Sequence, residues 1–287
     1  MPIHADELAP WLALSADELA RRSPLPLRIF RTREELYAHI AGEMLAEARA
    51  ARERGEELTV IVPIGPKGQY PLLAAMVNHA QLPLDHVSWF GMDEWLDWES
   101  RPLPLDHPFS LAGWFQREFL ERIRPDLRPR PENVVFPAPA ELDRPGEELA
   151  RRGGAATTYA GFGFQGHIAF NEPPGSRWTP IGLEQLRRSQ TRIVPLAVDT
   201  IIAHAQRSLG GNVAAVPPMA VTLGMRELLG ARRLRLATDG GAWKQTILRI
   251  LLFAEPTPDY PVTLVREHPD VEVWVDAASA AAPSTQW

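Results

Sequence analysis

The sequence predicts an α/β protein in which a mostly parallel sheet is covered by helices on both faces. Three observations carry the prediction. Short apolar, β-prone runs alternate with segments of helical period from Leu27 to Val275, the rhythm of strand and crossover helix. One of these runs, Leu58-Thr-Val-Ile-Val62, reads as a continuous apolar strand of the kind buried in a parallel sheet. In such a sheet a ligand sits beyond the carboxyl ends of the strands, and the residues with unusual chemistry lie in loops that follow predicted strands, at 63–68, 91–95, 161–172 and 239–244.

Taken in order, residues 1–27 form an N-terminal extension with short helical turns at 6–14 and 16–22, ahead of a single domain spanning 28–287. Trp11, Leu12, Leu14 and Leu19 suit docking on the body or on a neighbouring subunit, and a loosely held extension is the equal alternative. Leu27-Arg-Ile-Phe30 is a short strand. Thr32-Arg-Glu-Glu35 has capping-box spacing before a long helix whose Leu36, Ile40, Met44, Leu45 and Ala48 recur at helical spacing. After the strand at 58–62 come a helix at 69–80 and a strand at 86–90. Helices at 110–123 and 140–152 alternate with strands at 133–136 and 155–160. The later part reads as a strand at 191–196, helices starting at 199 or 200 and ending at 207 and spanning 216–229, a strand at 234–237, a helix at 242–253 and a strand at 271–275. Pro-rich pieces at 101–108 and 125–139 are surface loops, because strand and helix resume directly after each.

Composition narrows the function. With 45% apolar and 23% charged residues, 287 residues can bury a full core. The net charge is 30 − 36 = −6, without a basic run or stripe, so nucleic acid is not an expected partner. The absence of cysteine excludes disulfides, thiolate metal sites and cysteine nucleophiles. No basic start leads into an apolar core at the N-terminus, and no apolar run reaches the roughly 18 residues of a membrane span, so the expectation is a cytoplasmic protein without a membrane partner. The eight histidines show no metal-ligand spacing, and neither a metal nor a cofactor is expected.

The stretch Gly161-Phe-Gly-Phe-Gln-Gly-His167-Ile-Ala-Phe-Asn-Glu172 is the centre of the chemistry. Glycines after a strand let the chain turn sharply and bring backbone N–H groups near a ligand. A histidine beside them can move a proton near neutral pH, and Glu172 is close enough in sequence to orient it or raise its pKa. Upstream, Asp93 and Glu94 follow a buried strand, so at least one carboxylate should face the crevice.

The strings Gly166-His-Ile-Ala-Phe-Asn-Glu-Pro173 and Phe90-Gly-Met-Asp-Glu-Trp95 resemble motifs of the glucosamine-6-phosphate deaminase family, which is related to the 6-phosphogluconolactonases. His107-Pro-x-Ser110, Val216-Pro-x-x-Ala-Val-Thr-Leu-Gly224 and His268-Pro near the end match in order. The resemblance implies a three-layer, modified Rossmann-like fold. It implies that Asp93 moves a proton between C1 and C2 of an open-chain sugar, and that His167 helps open the ring together with Glu172. Gln165 falls at a position where the family carries an aspartate. Substrate contacts are implied for Gly65, Lys67, Gly68, Gly163, Gly166 and Ala169, with Arg207 and Lys244 as a phosphate clamp. A homo-oligomer binding a small sugar phosphate is also implied.

Two departures modify this expectation. Gln165 cannot stabilise an imidazolium by charge, so His167 should be less basic than in a typical member. The loop Pro63-Ile-Gly-Pro-Lys-Gly68 replaces a hydroxyl-bearing phosphate loop, and Pro66 has no N–H to offer. The expected activity is conversion of an amino-sugar phosphate to a ketose phosphate and ammonia. The alternatives are isomerisation or deamination of a related sugar without a standard phosphate, and a weakly catalytic sugar-phosphate sensor.

Overall fold

A computed structural model of the chain describes residues 3–173 and 181–284. Residues 1–2, 174–180 and 285–287 lie outside the described part, and with them the first residues of the expected extension and the last of the expected domain.

Helices α1 (Ala5–Leu12) and α2 (Ala16–Arg22) come first. The second starts in a reciprocal cap, in which the Ser15 hydroxyl accepts from the Glu18 N–H and the Glu18 carboxylate accepts from the Ser15 N–H. Strand β1 (Leu27–Phe30) leads into α3 (Arg33–Glu53), capped by Thr32. Next are β2 (Leu58–Val62), α4 (Gln69–Ala80), β3 (Val87–Gly91), β4 (Asp93–Leu96), α5 (Leu111–Glu118), β5 (Val134–Val135), α6 (Arg144–Arg151) and β6 (Thr157–Ala160). The remainder comprises α7 (Leu183–Arg187), β7 (Arg192–Pro195), α8 (Val198–Ser208), β8 (Met219–Thr222), α9 (Met225–Leu229), β9 (Arg233–Thr238), α10 (Gln245–Phe253), β10 (Val271–Asp276) and α11 (Ala277–Ala280).

Seven strands form a parallel sheet in the order β1-β10-β9-β6-β2-β3-β5. Strand β2 explains the layering: Val60 and Val62 join a core with Ile40, Met44, Leu73 and Phe115 on one face, while Ile61 joins Leu149, Leu228 and Leu248 on the other. A strand sandwiched between two helical layers needs apolar residues at both parities, hence its unbroken apolar run. The result is a three-layer α/β/α fold. Strands β9, β6, β2 and β3 are consecutive in this sheet, so the four loops that follow them converge at one place on its carboxyl edge.

Three expectations are corrected here. The helix anticipated over 216–229 is instead strand β8 followed by the short α9, and the anticipated loop at 91–95 contains strand β4. Strand β8 lies between β4 and β7 in a second, antiparallel sheet. Paired on both sides, its backbone is satisfied without helix, and this tertiary context overrides the helical tendency of its Met-Ala start. The helix expected at 110–123 is also shorter: α5 ends at Glu118, and residues 120–122 form a 3-10 turn.

The N-terminal arm docks on the body. Leu19 is fully buried, and the guanidinium of Arg249 on α10 gathers the arm's carbonyls. Its Nε donates to Trp11 O at 2.9 Å, and its Nη2 donates to Leu14 O at 2.6 Å and to Ala280 O at 3.2 Å. No described helix is long and apolar enough to cross a membrane. Replacing Arg249 by alanine leaves these carbonyls without their donor in a buried place. The expected loss is about 3 kcal/mol in urea unfolding, with early protease cleavage in the arm; a loss below about 1 kcal/mol contradicts this role.

Candidate active site

The loop after β2 is shaped by the first turn of α4. Tyr70 OH donates to Pro63 O, and Gln69 Nε2 donates to Pro66 O at 2.7 Å. Lys67 is thereby held with its Nζ 5.1 Å from the ring centroid of Trp114, and burial pulls its pKa down. Gly68 has a packing reason to be glycine: a Cβ there would sit 2.1 Å from the Tyr37 ring.

The loop after β3 separates two adjacent carboxylates by role. Glu94 accepts from the N–H groups of Trp95, Leu111 and Ala112 at 2.8, 2.9 and 2.9 Å, and from Ser110 Oγ at 3.3 Å. It therefore anchors the start of α5, and the His107-Pro-x-Ser110 segment serves this anchor. Asp93 has no such donors among the described residues. Buried, and next to the Glu94 charge, its carboxyl is pushed up to about 8.

In the loop after β6 two glycines make room for protein atoms. A Cβ on Gly161 would lie 2.2 Å from Gly65 O, and one on Gly163 would lie 1.8 Å from His167 Nε2. The His167 ring thus lies directly on the Gly163 backbone. Gly166, at φ +75°, accepts from the Val262 N–H at 2.7 Å. Ala169 has φ +51°, a left-handed backbone unusual for a residue with a side chain, in the turn closed by Asn171 N–H to Ile168 O at 3.0 Å. That turn is tied to β8. Phe170 N–H donates to Thr222 Oγ1 at 3.0 Å, and Asn171 Nδ2 donates to Leu223 O at 2.7 Å. Thr222 is also the register partner of Asp93. The carboxylate and the histidine loop therefore hang on the same residue of β8.

His167 is buried, and its pKa falls to about 3, chiefly from desolvation and secondarily from Lys244 and His204. Its Nδ1 is 3.9 Å from Glu172 Oε1, beyond hydrogen-bond reach, and both atoms lack another hydrogen-bond partner among the described residues. The other Glu172 oxygen accepts from Ala197 N–H, and burial raises this carboxyl. Gln165 does not serve His167: its amide donates to Asp199 on α8.

These loops enclose a cavity of about 550 Å³. Of the residues anticipated from sequence, Asp93, Gly65, Lys67, Gly163, His167, Ala169, Arg207 and Lys244 line it. Gly68, Gln165, Gly166 and Glu172 do not. The sequence reading passed over Tyr37 and His204, and it had marked Asp239 only as part of a loop. His204 stands one turn before Arg207 on α8, a spacing from which its inward position was available.

Three cations in this cavity have no carboxylate within 4.0 Å among the described residues: Lys67, Arg207 and Lys244. Burial and Arg207 bring Lys244 down to about 7, with Asp239 opposing, and its Nζ donates to Phe162 O. Burial, then Arg207, Lys67 and Lys244, brings His204 to about 4. All three cations act on that one imidazole, so they surround a common space. Such a space suits an anion. Among the described residues, no group of acidic and histidine side chains is arranged to hold a metal ion.

Buried and neutral, His167 should show no protonation by side-chain NMR until the pH approaches 3. Gly163→Ala places a methyl group where the imidazole lies, so the ring must move and its titration should return toward 6.5. A wild-type midpoint already between about 6 and 7 contradicts the packing described.

No protein-family model matches the chain. Glucosamine-6-phosphate deaminase 1 of Pongo abelii is 33% identical over 188 residues, which is 63% of this chain and 59% of that protein. Thus the chain spans less than two thirds of that relative. Glucosamine-6-phosphate deaminase of Caenorhabditis elegans is 30% identical over 222 residues, covering 75% of this chain and 76% of that protein. Among solved structures, a monomeric glucosamine-6-phosphate deaminase superposes with TM-score 0.74 at 25% identity over 89% of this chain and 98% of its own. The fold extends to 6-phosphogluconolactonase from Trypanosoma brucei, with TM-score 0.64 and 18% identity over 90% of this chain and 98% of its own. The expected homo-oligomer is corrected by these findings: the deaminase with TM-score 0.74 is monomeric, so the fold does not entail association.

Proposed function

Because the chain belongs to the glucosamine-6-phosphate deaminase family, we propose that its cavity takes an amino-sugar phosphate, opens the ring and releases ammonia, leaving a ketose phosphate. The observation that carries the reading is the juxtaposition, in one cavity, of a buried carboxylate without hydrogen-bond donors among the described residues, a neutral imidazole and three cations without carboxylate partners among those residues. Each has a task in this reaction. Lys67, Arg207 and Lys244 hold the phosphate, with Lys67 supplying the charge that the rewritten loop no longer offers through hydroxyls.

His167, kept neutral by burial, can accept the proton of the anomeric hydroxyl and deliver one to the ring oxygen. Asp93 takes the proton from C2 and returns it to C1. Moving that proton, while O1 of the aldehyde gains a proton and the C2 amine gives one up, turns the aldehyde into an alcohol and the amine into an imine, whose hydrolysis by water releases ammonia. Desolvation makes ionised Asp93 a stronger base than an exposed carboxylate, as removal of a carbon-bound proton demands. A pure sensor would not need a base of this kind, so the catalytic reading is preferred.

The test is ammonia release from glucosamine 6-phosphate, with glucosamine and galactosamine 6-phosphate alongside. Release that requires both the phosphate and Asp93 is expected. Asp93→Asn should abolish exchange of the C2 proton with solvent and leave ligand binding within about twofold; normal exchange in this variant removes Asp93 from the base role.

A pH profile follows from the two displaced groups. The base works only ionised, so kcat/KM rises as the pH approaches about 8. The clamp works only protonated, so kcat/KM falls as Lys244 loses its proton from about 7 upward. The expected profile is a narrow bell centred between these values; a flat profile from pH 6 to 9 contradicts both assignments.

A further inference from the structure

One carboxylate in the cavity has no part in the reaction above. Asp239 follows β9 at the sheet's carboxyl edge, is half-buried and lines the cavity beside Lys244. It belongs to no ion pair within 4.0 Å among the described residues, because Lys244 donates to Phe162 O instead. It is nevertheless held in place. The Tyr37 hydroxyl, from α3 on the far side of the sequence, donates to its Oδ2, and burial keeps that phenol protonated. The two glycines that follow set its position. A Cβ on Gly240 would lie 2.6 Å from the Lys244 side chain, and Gly241, at φ +60°, donates its N–H to Ser279 Oγ at 2.9 Å.

A carboxylate fixed beside an anion clamp repels the anion, so its presence calls for a compensating contact. Oδ2 accepts from Tyr37, which leaves Oδ1 to accept from a ligand. We propose that Asp239 is a specificity-determining residue that accepts a hydrogen bond from a sugar hydroxyl near the phosphoester, with Tyr37 as its positioning residue. This rests on the reading of the ligand as a sugar phosphate. In that arrangement the clamp binds any phosphate, and Asp239 selects phosphates attached to a hydroxyl-bearing chain. Lys67 offsets the charge that Asp239 adds to the cavity.

The experiment is calorimetric titration of the full chain with inorganic phosphate, ethyl phosphate and glucosamine 6-phosphate. In Asp239→Ala the affinity for glucosamine 6-phosphate should fall about tenfold or more, as for loss of a hydrogen bond to a charged group. Affinity for inorganic and ethyl phosphate should stay equal or rise, since a repelling charge has gone. Tyr37→Phe should lower the affinity for glucosamine 6-phosphate by a smaller factor and raise neither of the other two, because the Asp239 charge remains. Equal losses for all three ligands would mean that Asp239 only supports the Lys244 loop, and would overturn the proposal. So would an undiminished preference of Asp239→Ala for the sugar phosphate over ethyl phosphate, while leaving the sugar-phosphate reading intact. A wild-type chain that binds glucosamine 6-phosphate no tighter than ethyl phosphate overturns both.

Discussion

Strand β8 is the constraint on which the site depends. Met219–Thr222 pairs with Asp93–Leu96 on one side and with Arg192–Pro195 on the other. Its Thr222 faces Asp93 in register and accepts from the Phe170 N–H at 3.0 Å. The proposed base and the histidine loop lie more than seventy residues apart in sequence, yet one threonine fixes both. Strand register admits no gradual error: a slip by one residue turns every side chain to the opposite face. The antiparallel sheet is small, but it converts a generic α/β edge into a site of defined geometry. The parallel sheet beneath contributes adjacency, because β9, β6, β2 and β3 lie side by side and end together.

Burial then sets the electrostatics. The cavity excludes water from groups that would ordinarily be charged, and each moves toward neutrality: Asp93 up to about 8, His167 down to about 3, His204 to about 4 and Lys244 to about 7. The consequence for folding differs by group. A raised Asp93 contributes stability that is complete below its unfolded value near 3.8 and is lost as the pH rises through 8. Depressed histidines contribute stability that is complete above 6.5 and is lost as the pH falls toward their folded values. Cations gathered in one cavity without carboxylate partners among the described residues are an unfavourable arrangement that an anionic ligand relieves. Binding and charge state are therefore coupled in this site.

Much of the scaffold was legible in the sequence because its signals are periodic. The apolar run at 58–62, the helical stripe Leu36, Ile40, Met44 and Ala48, and the alternation of strand and helix place the parallel sheet and its loops. Segment 216–229 was misread because Met-Ala-Val-Thr-Leu has neither a clear period of two nor a clear period of 3.6, and only its pairing partners decide it. Gly161 and Gly163 also serve a purpose that their spacing does not reveal: the space they vacate is filled by Gly65 O and the His167 ring. Asp239 and Tyr37 meet across 202 positions, a pairing that no local pattern encodes.

Gln165 does not act on His167 as its place in the sequence suggests. The sequence argument makes His167 less basic because a neutral amide stands where the family has a carboxylate. His167 is depressed below its ordinary value first by desolvation and then by the positive neighbours Lys244 and His204. Gln165 meanwhile turns away to Asp199, and Glu172 Oε1 stops 3.9 Å short of His167 Nδ1. An imidazole so placed has no close anionic partner to support an imidazolium. It is suited to passing a proton on, accepting at one atom as it donates at another, rather than to storing a charge. Ring opening needs that behaviour, because the proton leaving the anomeric hydroxyl is balanced by the one arriving at the ring oxygen. Hence the replacement of aspartate by Gln165 is compatible with catalysis: the step proposed for His167 does not require the stabilised cation that the missing carboxylate would favour.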